Sequence, residues 1–501
     1  MTPIRPTPAA YAPALPVHAD PETDALCDSG LPHELAYAFG GPFHFLMPHR
    51  FDANVAAFRA VLDALDVRGT IYYAKKANKA AAWVERCAAN GVGVDVASVG
   101  ELCQALGHGV RGPDLVVTGP AKADELLRLA AAHQCLIAVD ALDELDRLLA
   151  LARGGPAPRL LLRVLPPGAS DSRFGMTDTE LDTALVRCVR AGDGPRMEGF
   201  SFHLSGYAIR PRAALAARLV GLCQRARGLG LPADRVSIGG GFAVDYLPHA
   251  DWQDFLATQR PEHYHAGRTF AAADFYPYHS PTAGADALRA LLTTVPPGHP
   301  STVASLLREA GITVLMEPGR ALLDRAGCTV FRVQGVKDRG PRDVDAGRPD
   351  GPRPAPPGAP GAPGAPGAPG APGAPGAPAS AGAYGILTVD GTSLSLSEQW
   401  FNSEFAPDPT LVTPRGRAGR GRPYPACVAG ASCLESDVLT WRKIVFPARP
   451  AIGDLLVYRN TAGYQMDSNE SPFHDLALPP KIVIEPADGP PRWRLDRRPV
   501  S

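Results

Sequence analysis

Ile71-Tyr72-Tyr73-Ala74-Lys75-Lys76-Ala77-Asn78 reads as a short buried strand that ends by delivering two lysines, and a helical pattern follows from Lys79 to Asn90. Lysine is almost never fully buried unless something pairs with it. The pair is therefore either two solvated lysines in a loop, the commoner case, or an amine with a chemical task such as capturing an aldehyde. The rest of the chain has to decide.

Upstream, residues 41–47 read as a strand, and a helical pattern (Val55, Phe58, Val61, Leu62, Leu65) leads into the lysine stretch. Downstream an alternation begins. Apolar runs at 71–74, 92–96, 115–117, 136–139, 160–164, 197–202, 236–238 and 312–316 are short enough for buried parallel strands. Helical patterns at 121–132, 142–151, 179–189 and 213–229 separate them. Eight strands separated by helices predict a closed (β/α)8 TIM barrel, expected over residues 45–325. The interval 241–311 is too long for one helix, so it holds an insertion whose His- and Tyr-rich part, 263–279, is expected to be a lid or a partner-facing loop.

Beyond Arg320 the pattern changes to β, with runs at 328–336, 385–389, 455–458 and 481–485. With residues 31–44 they predict a second, C-terminal β-barrel domain over 326–485, so the fold class is α/β plus β. Residues 1–30 are expected to be disordered or loosely attached, because proline breaks each short apolar run, and 486–501 to form a tail. Within 338–382, seven consecutive Gly-Ala-Pro units fill residues 358–378. Such a segment cannot bury enough apolar area to offset its ordering entropy, so a mobile, dispensable insertion is expected. Arg415–Arg422 reads as a second, solvated Arg/Gly-rich loop.

Composition narrows the function. A chain of 501 residues, 45% hydrophobic and 20% charged, can bury two cores. A net charge of -1 and the lack of a basic stripe argue against nucleic acid as a partner. Residues 1–24 lack a cationic start followed by an apolar core, and no run approaches the ~20 apolar residues of a membrane span, so a cytoplasmic chain with no membrane partner is expected. Nine cysteines without Cys-x-x-Cys spacing suit reduced thiols and offer no metal site.

In a parallel barrel, catalytic groups gather where strands end and loops begin. The residues in those positions are Lys76, Asp95, Arg163, His203, Gly239-Gly240-Gly241 and Glu317-Pro318-Gly319-Arg320. They comprise an amine, an imidazole, a glycine run that lets backbone N–H groups approach an anion, and an acid and a guanidinium three residues apart. These are the groups needed to hold pyridoxal 5'-phosphate.

From about Gly41 to Glu485 the chain resembles the fold-type III pyridoxal-phosphate enzymes, alanine racemase-like barrels, and among them the ornithine and diaminopimelate decarboxylase group. Tyr73–Asn78 matches Tyr-Ala-x-Lys-Ala-Asn, and the resemblance selects Lys76 over Lys75 as the Schiff-base lysine. Asp95, Ala97, Ser98 and Glu101 match Asp-x-Ala-Ser-x-x-Glu, although Ser98 and Glu101 fit a helix capping box equally well. Arg163 with Ser172-Arg173-Phe174-Gly175 resembles the family's arginine strand and following turn. His203 resembles the histidine that stacks on the pyridine ring. The usual His-x-Gly-Ser is His203-Leu204-Ser205-Gly206 here, so the phosphate-binding serine, Ser205, is displaced by one residue. Gly239–Gly241, Arg320 and Tyr464 resemble the phosphate grip.

Glu317 matches the acid that keeps the pyridine nitrogen protonated and makes the ring an electron sink. Alanine racemases carry arginine there, so Glu317 favours decarboxylation over racemisation. Gly430-Ala431-Ser432-Cys433-Leu434-Glu435-Ser436-Asp437 resembles the segment whose cysteine crosses a dimer interface and protonates Cα. Ser471-Pro472-Phe473-His474 has histidine where the family has asparagine. The resemblance implies a pyridoxal-phosphate-dependent amino-acid decarboxylase working as a homodimer with shared sites. An amino-acid racemase or epimerase and a catalytically silent regulatory homologue stand as alternatives. Leu434 replaces the acid that follows the cysteine in the ornithine and diaminopimelate enzymes, as in the carboxynorspermidine branch, and the segment Glu398–Glu404 also differs. A bulkier or less basic amino acid than ornithine is expected.

Overall fold

The computed structural model describes residues 11–169, 171–192, 194–339, 383–397, 405–414, 421–486 and 491–496. The expectations placed on residues 1–10, the Gly-Ala-Pro insertion, Glu398–Glu404 and most of Arg415–Arg422 lie outside them.

Eight parallel strands close into a barrel: β2 (Gly69–Ala74), β3 (Gly93–Val96), β4 (Leu115–Val117), β5 (Leu136–Val139), β6 (Arg159–Arg163), β7 (Arg196–Ser201), β8 (Arg235–Ser237) and β9 (Thr313–Met316), the last pairing back onto β2. The period of two decides which side chains go where. Tyr72 joins Val116, Leu136, Leu161 and Leu315 inside the ring, whereas Tyr73 faces outward and meets Phe51 edge-on at 5.4 Å between centroids. The floor of the barrel is polar. Glu198, 1% exposed, accepts from Arg159 Nε at 2.8 Å and Nη2 at 3.0 Å.

The second domain is a curled nine-stranded sheet built from β1 (Phe43–Leu46), β10 (Gly327–Arg339), β11 (Tyr384–Val389), β12 (Thr410–Val412), β13 (Tyr424–Ala429), β14 (Val438–Phe446), β15 (Leu455–Arg459), β16 (Lys481–Glu485) and β17 (Arg492–Leu495). Strand β1 lies between β10, antiparallel, and β16, parallel. The chain thus passes from β1 of this domain into the barrel and returns to it at β10. No helix among the described residues is long and apolar enough to cross a membrane.

Three expectations need correction. Residues 11–30 are not loosely attached. Leu15 is fully buried, its N–H donates to Asp408 Oδ2 at 2.8 Å, and a helix spans Pro21–Asp28 with Asp20 as N-cap; proline at the first helical turn starts a helix instead of breaking it. Within the expected tail 486–501, the described residues 491–496 are structured, because β17 pairs with β16 and both carboxylate oxygens of Asp496 accept from the N–H groups of Ala81 and Ala82, the first turn of the helix after Lys76. The 263–279 segment, expected as a lid or a partner-facing loop, is anchored at Tyr264, Phe275 and Tyr278, which does not suit a free lid, while 271–274 stay exposed. Tyr264, Phe275 and Tyr278 are buried, and the last two share an apolar cluster with Phe331, Leu387 and Tyr458 of the second domain. Large aromatic rings bury well even when polar residues separate them in sequence.

Candidate active site

The strand end that carries the two lysines tightens into a 3-10 turn over Lys75–Ala77 that sends them opposite ways. Lys75 is buried, its Nζ donating to Gln104 Oε1 at 2.8 Å. Lys76 stands half exposed in a cleft at the barrel mouth, with Nζ 3.6 Å from Asp95 Oδ2. Asp95 is buried and accepts from Thr118 Oγ1 at 2.6 Å, so its carboxylate is fixed; the charge beside the lysine raises the Lys76 pKa above its usual value. The turn is locked from the second domain. Asn78 Nδ2 donates to Ala462 O at 2.8 Å, the Tyr464 N–H donates to Ala77 O at 2.7 Å, and Lys79 N–H donates to Asp467 Oδ2, which Lys481 also pairs with.

Glu317 follows β9 and is buried, with Oε1 accepting from Ser237 Oγ at 2.8 Å. Burial and the Asp95 carboxylate push its pKa up to about 7, against the pull of Lys76. His203 follows β7. Partial loss of water in the cleft, with the cations of Lys76, Arg163 and Arg212 around it, holds its pKa below the usual imidazole value and favours the neutral ring.

The glycine run and the loop after His203 form one wall of the cleft. Gly239 and Gly241 have φ of +65° and +79°, and a Cβ on Gly240 would stand 2.8 Å from Glu317 O. Only glycine satisfies both the handedness and the closeness. Behind this wall Arg212, 1% exposed, donates from Nη1 to Gly240 O at 2.7 Å and Ile238 O at 3.3 Å, and from Nη2 to Gly206 O at 3.0 Å and Leu204 O at 3.3 Å. In a trans peptide the C=O and N–H point opposite ways. Drawing the carbonyls of Leu204, Gly206 and Gly240 inward therefore aims the N–H groups of Ser205, Tyr207 and Gly241, all residues of the cleft wall, away from Arg212. Arg212→Met is expected to leave these carbonyls without a donor and to weaken pyridoxal phosphate binding about tenfold or more; an absorbance titration of cofactor-stripped protein measures it.

Arg320 closes the opposite side, its guanidinium carbon 4.1 Å from the Tyr276 ring centre and 4.8 Å from that of Tyr464. The structure thus brings Lys76, Asp95, His203, Ser205, Gly239–Gly241, Glu317, Arg320 and Tyr464 together. Arg163 lies at the rim, its Nη1 donating to Asp140 Oδ1 at 3.1 Å, and its guanidinium stacks over Phe174. Cys433 does not line the cleft. It sits on the loop joining β13 and β14, which Asp437 pins by accepting from Ser393 N–H at 2.7 Å and Ser432 N–H at 3.1 Å. Sequence reading missed Arg212, Ser237 and Tyr276. Only Ser237 left a signal, a hydroxyl between the apolar Val236 and Ile238, two residues before the glycine run. No metal-holding cluster occurs among the described residues.

A lysine beside a buried acid pair and a glycine wall with an arginine across the cleft thus meet at the C-terminal mouth of a (β/α)8 barrel. Residues 52–263 match the family described as pyridoxal-dependent decarboxylase, pyridoxal binding domain. The chain is 36% identical over 455 residues, 90% of both chains, to an uncharacterized protein of Sinorhizobium fredii. It is 31% identical over 343 residues, 64% of this chain and 68% of the relative, to diaminopimelate decarboxylase of Actinosynnema pretiosum. The chain belongs to the pyridoxal-dependent decarboxylases. Its fold is also that of Helicobacter pylori diaminopimelate decarboxylase complexed with L-lysine (TM-score 0.64, 16% identity, 91% and 93% of the two chains) and of the Vibrio vulnificus lysine/ornithine decarboxylase complexed with putrescine (TM-score 0.61, 19% identity, 93% and 98%).

Proposed function

We propose that this chain decarboxylates an amino acid in a site shared between two copies of itself, with Lys76, Asp95 and Glu317 as the chemical centre. The observation that carries the reading is their convergence: an amine held by one buried acid in a cleft that also contains a second buried acid, Glu317, with its own hydroxyl donor, Ser237. The residues fit pyridoxal phosphate, because the wall that would take the phosphate admits no Cβ at Gly240 and carries a buried arginine behind it. When bound, that group supplies a sink for the electron pair left at Cα as the carboxylate departs.

The chain's own residues divide the remaining work. Lys76 would hold the aldehyde carbon, and Asp95 keeps the amine oriented. Glu317 would hold the proton of the ring nitrogen, with Ser237 fixing the Oε1 oxygen. His203, kept neutral, would lie on the ring face without adding charge. The N–H groups of Ser205, Tyr207 and Gly241, with Arg320 and Tyr464, would bind the phosphate. Cys433 is absent from its own cleft, which supports a second copy contributing it; Cys433 of the partner subunit would return one proton to Cα. Leu434, 41% exposed, follows that cysteine, so the far end of the substrate meets an apolar side chain and not a carboxylate there. The test is carbon dioxide release across a panel of amino acids with pyridoxal phosphate. Release from one of them is expected. Exchange of the Cα hydrogen for deuterium without gas would instead favour a racemase.

A further inference from the structure

Resting on Cys433 as the proton donor, we propose that His474 is its proton partner: the imidazole resupplies the Cys433 thiol with a proton after each turnover. The two residues come from distant loops, and Sγ lies 3.1 Å from His474 Nε2. The Cys433 N–H also points at that nitrogen, at 3.4 Å. Two donors converging on one ring nitrogen require it to be the acceptor, so the arrangement describes a protonated thiol leaning on a neutral imidazole whose proton sits on Nδ1. A proton arriving at Nε2 would face the Cys433 N–H head-on. The backbone thus opposes a lasting imidazolium and favours passing the proton to sulfur.

The need follows from stoichiometry. Loss of carbon dioxide leaves an electron pair at Cα, and the thiol gives its proton to that carbon and becomes a thiolate. Another proton must reach sulfur before the next turnover. The neutral imidazole takes a proton from solvent at Nε2, passes it to Sγ and returns to the neutral ring, so one proton is consumed per carbon dioxide released. Both residues are exposed on the single chain, and an imidazole changes charge closer to neutrality than other side chains. His474 is held in place by a left-handed backbone, φ 60°, and by the Phe473 ring 4.3 Å away. The nearby ionisable groups are Glu435 and Asp437 on the cysteine loop and Asp475 beside His474; Asp437 is occupied by the Ser393 and Ser432 amides.

The experiment follows iodoacetamide alkylation of Cys433 against pH by peptide mass spectrometry. Among the nine cysteines only Cys433 and Cys103 are exposed, and Cys103 serves as internal control. Interacting groups titrate in two steps, so the wild-type profile is expected to show two inflections and His474→Asn one; asparagine tolerates the left-handed backbone, so the variant keeps the loop. Superimposable single-step profiles would overturn the proposal whether or not the protein releases carbon dioxide. In the loaded dimer, His474→Asn is expected to lower kcat several-fold with KM unchanged, and added imidazole to restore it. A two-step profile with kcat insensitive to His474 would overturn the resupply role. Two inflections without gas release from any amino acid would leave the Cys433–His474 coupling standing and overturn the decarboxylase reading instead.

Discussion

Lys76→Ala is expected to give a folded protein that shows no visible-range absorbance with pyridoxal phosphate and whose carbon dioxide release falls on the order of 10⁴-fold or more, as when a covalent catalyst is removed. Lys75→Met is expected to keep the absorbance. Lys75 is buried and donates to Gln104, so its loss costs stability, about 1–3 kcal/mol, and not chemistry. The pair separates the two lysines that the sequence sets side by side. Asp95 holds the Lys76 pKa above its usual value, and an amine must lose its proton to attack an aldehyde, so cofactor capture by stripped wild-type protein should quicken as pH rises. Mixing Lys76→Ala chains with Cys433→Ser chains is expected to restore part of the activity, since one site of each mixed pair then has both groups. An absorbance that survives in Lys76→Ala would remove the centre of the reading, and mixtures as inactive as their parents would remove the shared site.

Sequence and structure agree most where local pattern alone decides. The eight barrel strands are short apolar runs that need only a parallel neighbour on each side, and the observed strands fall within one or two residues of the runs. The second domain was legible only in part, because its order depends on long-range pairing. Strands β13 and β14 carry Pro425, Arg442 and Lys443 and show no clean alternation, yet they form the hairpin that presents Cys433. Arg442 is 1% exposed and is tolerated because Asp408 and the Ala406 carbonyl receive its guanidinium, partners that no local window contains. Arg212 was missed for the same reason. In sequence it is a charged residue near the start of a helix, and its role exists only once the turns after β7 and β8 bring four carbonyls around it. Residues drawn from strand ends were readable because the barrel dictates where they converge. Residues that act from behind the wall, or across two loops as His474 does, have no such rule.

Glu317→Gln is expected to reduce carbon dioxide release by about 10²–10³-fold, the range for losing one preorganised electrostatic partner, while Lys76 still captures the aldehyde and the absorbance persists. Glutamine has the shape of the acid and can still accept from Ser237, so the loss isolates the charge. The same substitution has a signature in stability. In the protein without cofactor, burial and the neighbouring Asp95 carboxylate raise the Glu317 pKa to about 7, so the folded chain binds this proton more tightly than the unfolded chain does. Its contribution is fully present below the ordinary glutamate pKa of about 4.3 and is lost as pH rises through about 7, a change on the order of 3 kcal/mol. Stripped wild-type protein should therefore lose stability across that window relative to Glu317→Gln, which has nothing to titrate there, and thermal melts of both at several pH values measure the difference. Adding pyridoxal phosphate should flatten the wild-type slope, because a cationic ring nitrogen beside Glu317 stabilises the carboxylate that burial alone disfavours. If the two proteins melt in parallel across the window, with and without the cofactor, Glu317 does not hold the charge that the proposed chemistry requires.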